Sequence, residues 1–215
     1  GDLLRRLQGG VGALRLRSVS HGAAAALRAV AEELGVVEAI DSRLPAVRRR
    51  DGLTVGTSLL LIALGRACRP TSKRGWAAWA ATTSVGRLFG VDANRLTSQH
   101  FWDQMQEVPV EALAPIEEAI LRRVVARYPV LLDSVFYDTT NFFTYIASDN
   151  ERPRLARRGH NKQKRHDLRQ VGLALLVSRV DRVPLLHEVY EGARPEARLF
   201  PEVLTRLRQR LSALG

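Results

Sequence analysis

Apolar residues recur with a helical period through the first half of the chain. Residues 21–34 are predicted to form a helix that Ser20 caps and Gly35 ends. A second, shorter helix is predicted over residues 36–44. Residues 54–67 are apolar on nearly every helical face, which predicts a buried helix. The first half is therefore expected to be helical, with a core of its own.

Two more helices are predicted before residue 130. Thr97 is expected to cap a helix over residues 98–106. The next helix lies between Pro109 and Pro129. Because proline disrupts a helix interior, Pro115 predicts that the regular part of this helix starts only one residue earlier.

The large aromatic residues of this region are interpreted as core. Trp76 and Trp79 lie three residues apart and share one helical face. That spacing is more typical of a core than of a platform for stacking bases, although it permits both. Phe101, Trp102 and Met105 are likewise expected to form one apolar face of their helix.

The apolar period changes after residue 129. A run of branched and aromatic residues over 130–143 predicts a buried strand, with Asp138 toward its far end. Residues 171–180 and 183–190 predict two further strands, joined as a hairpin by the turn at Asp181–Arg182. A helix follows, with a core stripe spaced by four residues at Leu199, Val203, Leu207 and Leu211.

The order of these elements predicts an α+β protein. Residues 1–128 are expected to be an all-helical amino-terminal lobe. Residues 129–215 are expected to be a domain of three antiparallel strands and a helix. Such a sheet would have an open edge and one uncovered side.

The charge balance is strongly basic. The net charge is +11, with 30 arginines and 3 lysines among 215 residues. This surplus indicates a polyanionic partner, nucleic acid before an anionic membrane surface, although a genome-wide bias toward arginine explains it equally well. The single Cys68 excludes a disulfide framework. No apolar stretch is long enough for a membrane span and no signal peptide opens the chain, so a cytoplasmic location is expected.

Part of the surplus is concentrated in a predicted loop over residues 151–170. Between residues 152 and 169 there are eight basic residues and one acid, Asp167. Phosphate contact is favoured over a merely solvated loop, because this excess of seven is larger than the net charge of the whole second half. His160 and His166 lack partners at metal-ligand spacing, so they are interpreted as surface residues. The predicted DNA-contacting residues are Arg152, Arg154, Arg157, Arg158, Lys162, Lys164, Arg165 and Arg169.

Asp138 is the main candidate for chemistry. A carboxylate in a buried strand costs several kcal/mol unless it is paired, hydrogen-bonded or bound to a metal. Asp138 is therefore either satisfied by its neighbours, including Thr139, Thr140 and Asn141, or held for a reaction. Asp133 is offset by five residues, which on a regular strand places it on the opposite face.

Three blocks of residues occur in an order that resembles a known family. Residues 137–142 read YDTTNF, residues 159–170 read GHNKQKRHDLRQ, and residues 184–192 read PLLHEVYEG. In this order they resemble the start of the catalytic domain of bacterial insertion-sequence transposases of the DDE class. The resemblance covers about residues 131–211, and residues 192–196 depart from the Gly-Asn-Thr-Ser-Asp common in the family.

The resemblance implies an RNase H-like fold whose first strand carries the first catalytic acid, matched here by Asp138. For the helical lobe, residues 1–128, it implies a role in DNA binding or assembly. It also implies Mg²⁺ (or Mn²⁺), with Asp138 as one metal ligand. Two such ions clamp the oxygens of a phosphodiester and require further carboxylates. The second Asp and the Glu of the family have no counterpart in these 215 residues. A fragment that is inactive alone is therefore expected.

The leading functional hypothesis is accordingly a DDE transposase that acts on double-stranded DNA, both transposon ends and target. It would work in the bacterial cytoplasm at the nucleoid, and a homodimer is compatible with it. One alternative is a non-catalytic nucleic-acid-binding remnant of a disrupted mobile element. A third reading is a helical module that binds a protein partner.

Overall fold

The computed structural model of the protein describes residues 18–44, 52–146, 153–161 and 163–214. These residues form eight α-helices and one three-stranded antiparallel sheet, and most of the helices precede the strands. The predicted α+β class is confirmed. The chain divides into a helical unit that ends at Ala112 and a sheet unit, Leu113–Gly215.

The helical unit contains six of the helices. Two short 3-10 turns, Lys73–Gly75 and Ala93–Arg95, connect some of them. The α-helices are α1 (Gly22–Glu33), α2 (Val36–Asp41), α3 (Val55–Cys68), α4 (Trp76–Ala81), α5 (Val85–Phe89) and α6 (Ser98–Gln106).

Side-chain caps explain where two of these helices begin. Thr54 Oγ1 accepts from the amide of Thr57 at 3.1 Å to start α3. Thr97 Oγ1 accepts from the amide of His100 at 3.4 Å, which confirms the predicted cap of α6. The predicted cap at Ser20 is wrong.

Ser20 does not cap α1 because its backbone bonds elsewhere. Its amide donates to the carbonyl of Thr82 at 3.0 Å, and its carbonyl accepts from Ser84 at 2.8 Å. His21 is the residue that precedes the first turn of α1. Gly35 lies beyond the last turn with φ +54°, a conformation that favours glycine. Helix α2 ends at Asp41, three residues before the predicted end.

The core of the helical unit forms around α3. Leu61 and Leu64 of α3 are buried together with Trp76 and Trp79, which confirms the core interpretation of these two tryptophans. The indole nitrogen of Trp76 donates to the carbonyl of Leu61 at 2.8 Å. This bond satisfies the one polar group of a ring that is 1% exposed.

The predicted apolar face of α6 is wrong. Phe101 is fully buried, but Trp102 is 50% exposed and Met105 is 43% exposed. The buried side of α6 instead includes His100 and Gln104. Trp102 points away from this side because it follows Phe101 by one residue, about 100° around the helix.

The sheet unit begins in the first turn of a long helix. Its elements are α7 (Val110–Arg127), β1 (Val135–Thr144), β2 (Arg169–Ser178), β3 (Pro184–Glu191) and α8 (Glu196–Leu214). The unit boundary therefore lies at the start of α7 rather than after residue 128, because Leu121 of α7 packs in the same core as the strands.

Helix α7 continues through Pro115, so the predicted late start of its regular part is wrong. Proline lacks an amide hydrogen, and at this position only the bond to the carbonyl of Glu111 is lost. The ring of Pro115 is exposed and displaces no core residue.

The sheet has the strand order β1-β2-β3, and β2 and β3 form the predicted hairpin. One face of the sheet is covered by α8. On this face Leu176 and Tyr190 pack against Leu199 and Val203 of the helix. Gly172 lies on the same face because a Cβ atom there would come within 2.2 Å of the Tyr190 ring.

The other side is the open face of the sheet, where several apolar side chains remain exposed. Phe136 is 44% exposed, Phe142 55%, Leu175 37% and Val189 45%. The predicted burial of the first strand is therefore wrong. Strand β1 pairs only with β2 among the described residues, and along it exposed positions alternate with half-buried ones.

Candidate nucleic-acid and metal site

Asp138 lies in the middle of β1 and on the open face. Its position is opposite Leu175 of β2, which in turn is opposite His187 of β3. The carboxylate is exposed and forms no hydrogen bond or ion pair with a described residue. The desolvation cost expected for a buried acid therefore does not apply. Of the polar residues that follow it, only Thr140 shares its face, because side chains alternate along a strand.

The described residues do not fit a complete site for two divalent cations. No group of three His, Cys, Asp or Glu side chains suited to a metal ion occurs within the part of the chain that the structure describes. Asp133 precedes β1, and its Oδ1 accepts from the hydroxyl of Ser134 at 3.1 Å. Asp138 alone can supply one ligand, whereas a pair of such ions needs several carboxylates.

The described part of the basic loop, residues 153–161 and 163–168, is folded around a buried asparagine, and the last two residues of the predicted loop belong to β2. Asn161 is 2% exposed. Its Oδ1 accepts from the amide of Arg165 at 2.8 Å, and its Nδ2 donates to the carbonyls of Gly159 and Arg165 at 3.2 and 3.1 Å. One side chain thus closes the segment that carries Lys164, whose φ of +56° is rare for a residue with a side chain.

A buried glutamine fastens the loop to the end of the sheet. Gln170 is 1% exposed, and its Nε2 donates to the carbonyls of His160 and Gly192 at 3.0 and 2.8 Å. The backbones of Gln170 and Arg157 exchange two hydrogen bonds, at 2.9 and 3.1 Å. The loop is therefore an ordered extension of the sheet rather than a solvated tether.

Two glycines allow this close packing. A Cβ on Gly159 would lie 2.1 Å from the carbonyl oxygen of Gly192, and one on Gly192 would lie 2.0 Å from that of Gln170. These are backbone atoms that no rotamer change can move. The second and third blocks of the resemblance thus meet at one end of the sheet.

The cations of the loop fall into two groups. Arg165 forms a bidentate ion pair with Asp167, in which Nε to Oδ1 and Nη2 to Oδ2 are both 2.8 Å. Nε of Arg157 lies 3.5 Å from Oε1 of Glu191. Arg154 and Lys164 are exposed and have no carboxylate partner among the described residues.

The remaining predicted contacts are distributed as follows. Arg158 is exposed and Arg169 is half-buried, at the start of β2. Arg152 and Lys162 lie outside the described residues. His160 and His166 are exposed, as expected for surface histidines.

Arg165 also changes the ionisation of Asp167. The hydrogen bond from Arg165 lowers the pKa of Asp167 to about 2. Asp167 is therefore ionised across the working range of most proteins, and it offsets one of the positive charges that the sequence counts in this loop.

The structure does not bring the loop beside Asp138. The loop joins the sheet where Thr144 of β1 faces Arg169 of β2, and the Thr144 hydroxyl donates to the Arg169 carbonyl at 3.1 Å. Thr144 is six positions beyond Asp138 along β1, which corresponds to about 20 Å at the usual rise of a strand. The attachment of the basic loop and the candidate acid are therefore separate parts of this unit.

Sequence reasoning missed an ion cluster at the other edge of the sheet. Glu117 of α7 accepts from Nδ1 of His187 at 2.6 Å and also pairs with the nearly buried Arg210 of α8. The hydrogen bond that His187 donates to Glu117 raises the pKa of His187. Burial opposes ionisation of Glu117, but the bonds from His187 and Arg210 outweigh it, so its pKa is lowered. No local pattern shows this cluster, since its members are 70 and 93 residues apart in the chain.

Comparisons with known proteins add no identification. No protein-family model matches the chain, and neither a curated protein nor a solved structure matches it. Within the described residues, no helix is both long and apolar enough to cross a membrane.

Proposed function

We propose that the chain is part of a DDE-class transposase and that its basic loop contacts the phosphates of duplex DNA. One observation carries the proposal: the residues of the second and third resemblance blocks pack into a single ordered unit. Gln170 of one block bonds Gly192 of the other, and Gly159 approaches the same carbonyl. Such packing gives the order of the blocks a structural reason, which a chance match of letters would not have.

The loop has the properties of a phosphate-binding element. Its backbone is fixed by Asn161 and Gln170, so its cations bind without the entropic cost of ordering a flexible segment. Arg154 and Lys164 supply charge that no described carboxylate neutralises. Phosphate contacts of this kind set the position of a protein on DNA but do not read its sequence.

Asp138 has a defined part in this proposal. In a complete catalytic domain it would be one ligand of Mg²⁺ or Mn²⁺, which activates the attacking oxygen and neutralises charge at the phosphorus. Its exposure on the open face leaves it accessible to further ligands. The described residues do not supply them, so no reaction step is assigned to this part of the chain.

The first test is the salt dependence of duplex binding. The variant Arg154→Gln/Lys164→Gln removes two loop cations that have no carboxylate partner among the described residues. If both contact phosphates, the slope of log K against log salt falls by about 1.8. The matched control is Arg179→Gln/Arg208→Gln. It removes two exposed cations from the same unit but outside the loop, and neither has a carboxylate partner among the described residues. Equal losses in both variants would show binding by net charge alone and would refute the role of the loop.

The second candidate function is a non-catalytic nucleic-acid-binding protein. The absence of a carboxylate cluster around Asp138 among the described residues favours it. Metal-dependent nicking of supercoiled DNA separates the two functions. The transposase is supported if a form of the protein that carries further carboxylates nicks DNA, and if Asp138→Asn abolishes this nicking while DNA binding persists. Duplex binding without nicking in any such form supports the binding protein, which would act at the bacterial nucleoid.

A further inference from the structure

The most exposed large aromatic of the helical unit is a tryptophan with a cation on its ring. Trp102 is 50% exposed, whereas Trp76 and Trp79 are 1% and 5% exposed. The Lys73 ammonium lies 3.9 Å from the centroid of the Trp102 ring. The exposed indole therefore already forms a cation–π contact and keeps much of its surface open to solvent.

More cations lie close to Lys73 in the sequence. Residues 66–76 contain four basic residues and no acid. None of the four forms an ion pair with a described residue. The nearest acid in sequence to Trp102 is Asp103, which is half-buried and accepts from Gln99 Nε2 at 2.5 Å. The four are Arg66, Arg69, Lys73 and Arg74.

Hydrogen bonds hold the turn that carries these side chains against α3. Arg66 Nη1 donates to the carbonyl of Thr71 at 2.8 Å, which folds the chain back over the end of α3. The turn Lys73–Gly75 follows, and Trp76 anchors it through the bond to Leu61. Helix α6 packs against this turn and thereby holds Trp102 beside Lys73.

We propose that Trp102 and Lys73, with Arg74 of the same turn as Lys73, form a binding site for single-stranded nucleic acid. The indole stacks on an unpaired base, and the cations contact the phosphates on either side of it. Stacking on an aromatic side chain requires a base that is free of its partner, so the site prefers single strands to a duplex. The proposal concerns the helical unit alone and depends neither on Asp138 nor on the basic loop.

Charge favours this partner over an apolar protein surface. An apolar partner would bury the Lys73 ammonium beside the indole without a counter-charge, whereas a nucleic-acid strand supplies one phosphate per nucleotide. Each phosphate contact on a single strand contributes about 0.7 to the salt slope.

Tryptophan fluorescence tests the proposal directly. All three tryptophans lie in the helical unit, and the two buried ones cannot reach a ligand base. Titration of the 215-residue protein with a dT oligonucleotide at low salt is expected to quench the emission of Trp102. The variant Trp102→Phe keeps an aromatic ring and should still bind, but without the change in emission. A parallel titration with a U oligonucleotide distinguishes DNA from RNA as the preferred strand.

Variants then separate stacking from simple charge. Trp102→Ala is expected to weaken dT binding by about 5- to 150-fold, measured by anisotropy of a labelled oligonucleotide. Met105→Ala is the matched control, because it removes 43%-exposed apolar surface from the same helix without removing a ring. Arg74→Gln, in the same turn as Lys73, should lower the salt slope by about 0.7.

Three results would overturn the site. They are emission unaffected by saturating dT, equal losses for Trp102→Ala and Met105→Ala, or tighter binding of a duplex than of a single strand at this surface. The loop variant Arg154→Gln/Lys164→Gln should leave the quenching unchanged. If the loop variant does not weaken duplex binding, the proposed function is contradicted, but the proposal for the Trp102 site is not affected.

Discussion

The two edges of the sheet differ in how their backbone groups are satisfied. At the outer edge of β3, the Glu117 carboxylate accepts from the amide of His187 at 3.1 Å. Arg210 donates to the carbonyl of Leu185 at 2.9 Å on the same edge. At the outer edge of β1, no described strand or helix takes this place. One edge is closed by helix side chains and the other is open.

This difference shows that apolar content does not decide which strand is protected. Both β1 and β3 are rich in apolar residues, yet β3 alone has side chains of α7 and α8 on its edge. Open edges are the usual sites of strand addition. The open face of the same strand leaves Asp138 accessible, so the exposure that suits the proposed function also leaves Phe136 and Phe142 in water.

The largest effect is expected when the closed edge is opened. Glu117→Gln leaves the nearly buried Arg210 without its counter-charge, which should destabilise the sheet unit by about 3 kcal/mol. Urea unfolding followed by circular dichroism measures the loss. The tryptophan emission of the folded variant should equal that of the folded wild type, because all three tryptophans lie in the helical unit. The control Glu118→Gln removes only a surface pair with Arg122 and should cost no more than about 0.5 kcal/mol.

A smaller effect is expected from pH at the same edge. The raised pKa of His187 means that its contribution is complete below its ordinary value of 6.5 and is lost as pH rises through the raised value. The lowered pKa of Glu117 means the reverse: its contribution is present above 4.5 and is lost as pH falls through the lowered value. Stability of the sheet unit should therefore be highest between these limits. The variant His187→Gln should flatten the alkaline side, and an unchanged profile would contradict this account.

The open edge should respond to charge with little change in stability. Phe142→Lys places a cation on the edge strand at a position that is 55% exposed. The free energy of unfolding is expected to change by no more than about 0.5 kcal/mol. Sedimentation velocity at increasing concentration should show less self-association than in the wild type. Leu27→Lys, at a position 38% exposed on α1, is the control that adds the same charge in the other unit.

The smallest effect on folding is expected at Asp138. Asp138→Asn removes a carboxylate that has no described partner, so unfolding should be unchanged within error. Duplex affinity should also be unchanged, because the loop joins the sheet six residues away along β1. A loss of more than about 1 kcal/mol would mean that the carboxylate has a structural role, and it would weaken the assignment of Asp138 to chemistry.

Periodicity along the chain predicted most of the fold, because helices and hairpins depend on nearby residues. The stripe of Leu199, Val203 and Leu207 is buried on α8 as expected. Burial of β1 was wrong because a strand is buried by elements that cover it, and these are not encoded within the strand. The face of α6 was wrong because His100 took the buried position, where its Nε2 bonds the Ser58 hydroxyl at 3.0 Å, 42 residues away.

The candidate site was less predictable than the fold. Counting charges located the loop. It did not show that Glu191 neutralises Arg157, because these two residues lie far apart in the sequence. Asn161 and Gln170 stood within the matched blocks without an assigned role. Gly172 carried a usable signal, since glycine inside a strand often marks a close approach, here by Tyr190. The role of Asp138 in metal binding stays a prediction.

The fastening of the basic loop has a consequence for protease resistance. By composition, the segment offers trypsin many cleavage points, yet a protease must first draw its substrate into an extended form. Arg157 is bonded to Gln170 through both backbone groups, and the amide of Arg165 is bonded to Asn161. Cleavage after either arginine therefore requires these bonds to open. The rate of tryptic cleavage in the loop would report how often this end of the sheet frays.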